Sequence, residues 1–430
     1  MIKEKEYKKR RVIIGKKLSK NSVAVVFSSE YKQRSNDTDF PYRQDSNFYY
    51  LTGFKEDNSA LVFIKKSKQV RTYLFVEPKD PTKELWNGKR LGVKKAKKRM
   101  DFDGIKTIEG YETFIKEHMK EKKTLYCDFK AETQKSAQLQ RVAIQIPSHT
   151  NIAPLIEEMR LLKSKSEINL IQQSIAIAKE AHHKAMRYGK NADYEYKLQA
   201  KIEYIFKNHG AYNDAYTSIV AGGNNANTLH YIRNDKPLQK GSLVLIDAGC
   251  EYQYYASDIT RTFPIGTGFS KAQKELYELV LSTQKKVIDM IRPGVLRSDL
   301  QKEACKLLTH GMCRLGILQG KPKKLIKNES YKKYYPHGIG HWLGIDVHDM
   351  APYKDENNKE IALGAGMVLT IEPGIYCEQK DMKIPKKYRG IGIRIEDNIL
   401  VTKEGYKNLS KEIVKEIADI ETLVLTKRDK

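Results

Sequence analysis

The sequence predicts an α+β protein: an N-terminal α/β domain over residues 1–155, then an internally duplicated α+β domain over residues 156–430. Three observations predict it. Short apolar, β-rich runs alternate with helical stretches in the first part of the chain. A strong helix-start signal follows a Pro-containing boundary. Beyond it, the order "two helices, then strands" occurs twice.

In chain order, Ser22–Phe27 (SVAVVF), Ala60–Ile64 (ALVFI) and Thr72–Val76 (TYLFV) read as strands, with Leu125–Asp128 as another. Lys83–Trp86 and Tyr111–Glu121 lie between them as helices, giving a small parallel or mixed sheet. The boundary falls at Asn151–Pro154. Ile156–Leu162 follows, then Ser164-Lys165-Ser166-Glu167, an S-x-x-E capping box. Ile168, Ile171, Ile175, Ala178 and Ala185 continue that helix at helical spacing. Asp193 is the expected start of a second helix, with Leu198, Ile202 and Ile205 on one face and Gly210 at its end. Ser218–Ala221, Leu243–Ala248 and Asp258–Phe263 read as strands. Then Lys271–Ile291 and Leu296–Leu315, parted by Arg292-Pro293-Gly294, read as helices, and Val368–Ile371 and Ile391–Val401 as strands. The two halves are expected to share one central sheet with the functional groups on its concave face.

Bulk composition bounds the function. The chain has 430 residues, 40% of them hydrophobic, which suffices for a large core. No apolar run approaches the ~20 residues of a membrane span, so no membrane association is expected. Met1–Lys17 is rich in Lys and Glu with no apolar signal region, and the five cysteines (Cys127, Cys250, Cys305, Cys313, Cys377) form no CxxC. Both features point to reduced thiols and a cytoplasmic protein. The net charge of +25 raises nucleic-acid binding. The basic residues are scattered, mostly Lys, and interleaved with Glu and Asp, without a recognition motif. No nucleic-acid partner is expected.

Five residues are candidate metal ligands: Asp247, Asp258, His341, Glu372 and Glu396. Asp247 ends the apolar run Leu243-Val244-Leu245-Ile246, where an ionised carboxylate costs several kcal/mol unless something pairs with it. A cation is the simplest partner. Four carboxylates and one imidazole make a hard, oxygen-rich set, which points to a divalent metal centre and away from a structural zinc knot. Residues two apart on a strand share a face, so Asp258, Thr260 and Thr262 align, as do Val368, Thr370 and Glu372, and Arg394 with Glu396. His337 and His341 flank two glycines in His-Gly-Ile-Gly-His, which favours a loop or extended segment over a helix. His230 sits in Asn227-Thr228-Leu229-His230-Tyr231, and His348 in Asp346-Val347-His348-Asp349.

The segments Leu243–Phe263 (LVLIDAGCEYQYYASDITRTF), His337–Asp349 (HGIGHWLGIDVHD), Val368–Tyr376 (VLTIEPGIY) and Tyr388–Asn398 (YRGIGIRIEDN) resemble the aminopeptidase P and prolidase family of pita-bread metallopeptidases. Asp39–Phe54 (DFPYRQDSNFYYLTGF) is similar to aminopeptidase P in particular. The resemblance implies a pita-bread catalytic domain and two divalent metal ions. Asp247 would serve one metal, Asp258 and Glu396 would bridge both, and His341 and Glu372 would complete the second. His230 and His348 match histidines that contact substrate, His337 matches a supporting histidine, and Tyr376 and Arg394 match residues near the pocket.

The implied activity is release of the N-terminal residue from peptides with proline second, by a hydroxide held between the metals, with Glu372 as the proton carrier. The alternative is prolidase, which accepts only Xaa-Pro dipeptides. A binding module that has lost catalysis is disfavoured, because every ligand position is filled. Mn²⁺ is the expected metal because oxygen ligands dominate, with Co²⁺, Fe²⁺ and Zn²⁺ as alternatives. A homo-oligomer, dimer or tetramer, is expected, with an N-terminal domain as lid over the cleft and Trp86 as a candidate part of it.

Overall fold

The computed structural model describes residues 1–129, 134–142, 144 and 146–426. They form two compact units, Met1–Met159 and Arg160–Lys430. The expected division after residue 155 lies inside the helix Ala153–Arg160.

In the first unit, helix α1 (Glu4–Lys17) precedes strand β1 (Ser22–Phe27), whose six residues are all buried. Strands β2 (Ala60–Lys66), β3 (Gln69–Val76), β4 (Gly104–Thr107), β5 (Thr124–Cys127) and β6 (Ser148–Asn151) complete a sheet of order β4-β3-β2-β1-β5-β6. It is mixed: β1 runs antiparallel to β2 and parallel to β5. Val23, Val25, Phe27, Val62, Phe75 and Leu125 share one core with Phe114 and Ile115 of the helix Tyr111–Met119. The near-continuous apolar character of SVAVVF reflects a strand buried on both faces.

The second unit opens with α2 (Lys165–Tyr188), and the capping box is formed: Ser164 Oγ accepts from Glu167 N–H at 3.2 Å, and Glu167 Oε2 accepts from Ser164 N–H at 2.9 Å. Helix α3 (Glu195–Asn208) starts two residues later than Asp193, whose carboxylate instead pairs with Lys197 at 2.6 Å. Strands β7 (Ile219–Gly222), β8 (Leu243–Asp247) and β9 (Thr260–Pro264) follow in an antiparallel ladder. The order then repeats: α4 (Lys271–Asp289), α5 (Arg297–Arg314), β10 (Val368–Ile371), β11 (Gly374–Cys377), β12 (Ile391–Arg394) and β13 (Asp397–Val401). The architecture is the duplicated α+β arrangement.

Two sequence expectations are corrected here. Ile391–Val401 is two strands, broken at Ile395-Glu396. The two halves also do not share one uninterrupted sheet. Strand β10 pairs with β13 and β11 with β12, and the β7-β8-β9 ladder meets them at a seam where Glu396 N–H donates to Thr260 O at 3.1 Å and Thr262 Oγ1 donates to Arg394 O at 3.0 Å. Pro373 has no N–H to continue a ladder after Glu372. Both carboxylates therefore lie where strand pairing lapses. Among the described residues no helix is long and apolar enough to cross a membrane.

Candidate metal centre

The ladder registers bring the polar groups together. Asp247 stands opposite Thr260, at the end of β8 and start of β9. Asp258 lies just before β9, and its main chain is held on both sides by Asn398, whose Oδ1 accepts from Asp258 N–H at 3.2 Å and whose Nδ2 donates to Asp258 O at 2.6 Å. Glu372 follows β10, and Glu396 fills the break between β12 and β13.

The His-Gly-Ile-Gly-His segment is irregular, as the glycines imply, and runs beside β10. His341 N–H donates to Thr370 Oγ1 at 3.0 Å, and Thr370 N–H donates to His341 O at 2.9 Å. This approach requires Gly340: a Cβ there would lie 1.9 Å from Thr370 O.

Asp258, His341 and Glu396 each offer a donor atom within 4.8 Å of the others. His341 Nδ1 donates to Trp342 O at 3.0 Å, which fixes the tautomer and turns Nε2 toward Asp258 Oδ2 (3.2 Å) and Glu372 Oε1 (3.6 Å). Asp247 lies outside that trio but lines the same cavity of about 260 Å³, together with Glu372, Arg394, His230, His337 and His348. Tyr376 is reached through Arg394 and His337. A larger cavity of about 600 Å³, in the first unit, is lined by lysines and holds no histidine, so it cannot host this chemistry.

A hydrogen-bond relay supports the cluster. Arg394 Nη2 donates to Asp247 Oδ2 at 2.7 Å, Nη1 to Tyr376 Oη at 2.8 Å and Nε to Thr260 Oγ1 at 3.2 Å. With its lone pair so engaged, Tyr376 Oη donates its proton to His337 Nε2 at 2.8 Å, and His337 Nδ1 donates to Gly338 O at 2.8 Å. This order needs a neutral His337, and burial, aided by Arg394, pushes its pKa down to about 4. Thr260 Oγ1 in turn donates to Glu396 Oε2 at 2.8 Å. Arg394 and Glu396 thus meet on one side through Thr260, although the strand between them is broken.

The electrostatics call for a cation. Burial raises the pKa of Asp247, Glu372 and Glu396, and neighbouring carboxylates add to each. Burial works against Asp258 too, but His341 holds it below the usual carboxylate range. Without positive charge, protonation is the main way to relieve so many buried carboxylates. Divalent ions would do so while keeping every group ionised, and four carboxylates with one oriented imidazole fit such ions.

Sequence reasoning missed three contributors. Tyr216 donates to Asp247 Oδ1 at 2.5 Å, and nothing in its sequence surroundings signals this. Asn398 ends the stretch Tyr388–Asn398, and its two bonds to the main chain of Asp258 join segments far apart in the chain, which no local pattern signals. Gln284 falls on the apolar stripe Tyr277, Val280, Val287 of α4, where a polar residue is a readable anomaly.

Comparison with known proteins gives a consistent result. The model of metallopeptidase family M24 matches residues 169–403, and that of the aminopeptidase P N-terminal domain matches residues 7–126. Xaa-Pro aminopeptidase of Haemophilus influenzae is 42% identical, over 98% of this chain and 97% of its own length. Xaa-Pro aminopeptidase of Escherichia coli is 36% identical, over 99% of both chains. Among solved structures, zinc-substituted E. coli aminopeptidase P in complex with product superposes with a TM-score of 0.95 at 35% identity, covering 99% of this chain and 100% of the other. The same enzyme with the inhibitor Pro-Leu gives a TM-score of 0.94 at 35% identity, covering 99% and 98%.

Proposed function

The chain belongs to metallopeptidase family M24, and on that premise we propose how its own residues carry the reaction. It is a metal-dependent exopeptidase that releases the first residue from peptides whose second residue is proline. The observation that carries the residue roles is the convergence of Asp258, His341 and Glu396 donor atoms within 4.8 Å, beside Asp247 and Glu372 in one cavity.

Asp247, Asp258, His341, Glu372 and Glu396 would hold two divalent ions, Asp258 and Glu396 serving both. When bound, the ions make the attacking water acidic and offset charge on the scissile carbonyl oxygen. Thr370 Oγ1 donates to Glu372 Oε1 at 3.2 Å, which leaves Oε2 to take a proton and pass it to the leaving proline nitrogen. His230 and His348, both exposed in the same cavity, face the substrate carbonyl. Ile219, Leu229, Ile232 and Val347 give the cavity an apolar side suited to a pyrrolidine ring. Arg394 orients Asp247 and opposes the rise in its pKa that burial causes, and Tyr376, bonded to His337, holds the guanidinium in place.

Mn²⁺ is the proposed metal, because carboxylate oxygens outnumber nitrogen. The five free cysteines suit a reducing compartment, and we place the protein in the cytoplasm. A homo-oligomer accounts for Leu85 and Trp86, adjacent apolar side chains each 80% exposed on the first unit.

Metal-reconstituted enzyme is expected to cleave Arg-Pro-Pro to arginine and Pro-Pro. Hydrolysis confined to Xaa-Pro dipeptides would instead make the activity that of a prolidase.

A further inference from the structure

His348 is held differently from the other site histidines. Its ring meets His341 edge-on, with centroids 4.2 Å apart, and among the described residues it has no hydrogen-bond partner. Its placement is therefore set by the main chain of residues 346–349.

That segment is bracketed by two carboxylates that meet one cationic pair. Arg160 Nη2 donates to Asp346 Oδ2 at 2.5 Å and to Asp349 Oδ1 at 2.5 Å, while Nε donates to Asp349 Oδ1 at 3.2 Å. Lys163 Nζ lies 3.0 Å from Asp349 Oδ2. Arg160, Lys163 and Asp349 are buried, and two positive charges face two negative ones. Main-chain bonds hold the surroundings: Asp349 N–H donates to Trp342 O at 2.9 Å, and Lys163 N–H donates to Gly366 O at 2.9 Å. Space is tight: a Cβ at Gly344 would lie 2.5 Å from Asp349 Oδ2.

Desolvation offsets most of the attraction in a buried ion cluster, so its net stabilisation is small. Directed contacts to both sides of a residue that has no anchor of its own fix geometry. We propose that Arg160 and Lys163 are positioning residues that clamp Asp346 and Asp349 and thereby hold His348 in place over the metal ligands. The proposal rests on the reading of His348 as a group that faces the substrate.

The test is a mutant cycle on the full-length, metal-reconstituted enzyme with an Xaa-Pro tripeptide, following kcat, KM and metal content. Asp346→Asn is expected to lower kcat about tenfold with little change in KM, because small misplacements of a reacting geometry are costly. Arg160→Lys should act in the same direction and more strongly. Bound metal should stay at the wild-type level in both. In the His348→Ala background, Asp346→Asn should cause no further loss. An equal loss in both backgrounds, or a loss of metal, would overturn the clamp. Full turnover by His348→Ala alone would overturn the reading of His348 itself, and the clamp with it, by a pattern distinct from the other two. Asp346 is about a quarter exposed, so Asp346→Asn carries the test even where Arg160→Lys does not fold.

Discussion

One hydroxyl, Thr260 Oγ1, stands between opposite charges. It accepts from Arg394 Nε and donates to Glu396 Oε2. Thr260→Val keeps the shape and removes both bonds, so Glu396 loses its orienting partner. Metal affinity is expected to fall about 10–100-fold, the usual effect of losing an outer partner of a ligand, as read by metal titration. Asp258→Ala, which removes a proposed shared ligand, should instead abolish both activity and stoichiometric metal binding; an active, metal-replete Asp258→Ala enzyme would refute the assignment. At this scale the sequence was readable where chemistry is unusual. A carboxylate at the end of a buried apolar run demands a partner, which exposed Asp247. Tyr216 was not readable, because a tyrosine ahead of a strand carries no pattern that distinguishes a bond to Asp247 from ordinary packing.

Elements bring these residues into reach, and helix α4 does so through Gln284. Its Nε2 donates to Ile371 O at 3.2 Å and to Ile395 O at 3.1 Å, and its Oε1 accepts from Lys415 Nζ at 2.8 Å. Ile371 and Ile395 directly precede Glu372 and Glu396, at the two points where strand pairing lapses. The amide thus supplies bonds that a continuous sheet would have supplied. Gln284→Leu leaves buried carbonyls unpaired and should lower unfolding free energy by about 1–3 kcal/mol, measured by urea denaturation of the metal-saturated protein. An unchanged midpoint would mean that water replaces the amide. Helix starts were legible because their signals are local: the Ser164–Glu167 box opens α2 as read. The break at Ile395-Glu396 was not, because its causes are Thr260 and Pro373, contacts distant in the chain.

Across the whole molecule, the duplicated order of helices and strands was visible in periodicity alone, whereas the protonation demands of burial appear only once the fold places each group. His182 in α2 is fully buried; its Nε2 donates to Ala248 O at 2.9 Å, and among the described residues Nδ1 has no partner. Burial pushes its pKa down to about 3. Neighbouring His183 is also lowered, to about 4, by burial and by Arg187, and its Nε2 accepts from Val414 N–H at 3.2 Å, a bond that protonation would break. The unfolded chain protonates both rings near pH 6.5, while the folded chain resists until well below that. The stability these neutral rings permit is therefore complete above about pH 6.5 and declines as pH falls toward the folded values. Asp397, which burial opposes but Arg261 and Lys415 hold down to about 2, has its own loss only below about pH 4, so the windows separate. For His182 alone the loss at pH 5 is about 2 kcal/mol relative to pH 7.5. His182→Gln, compared with wild type under saturating metal by urea denaturation at the two pH values, should show a correspondingly smaller drop. Equal drops in the two proteins would mean that His182 accepts a proton in the folded state.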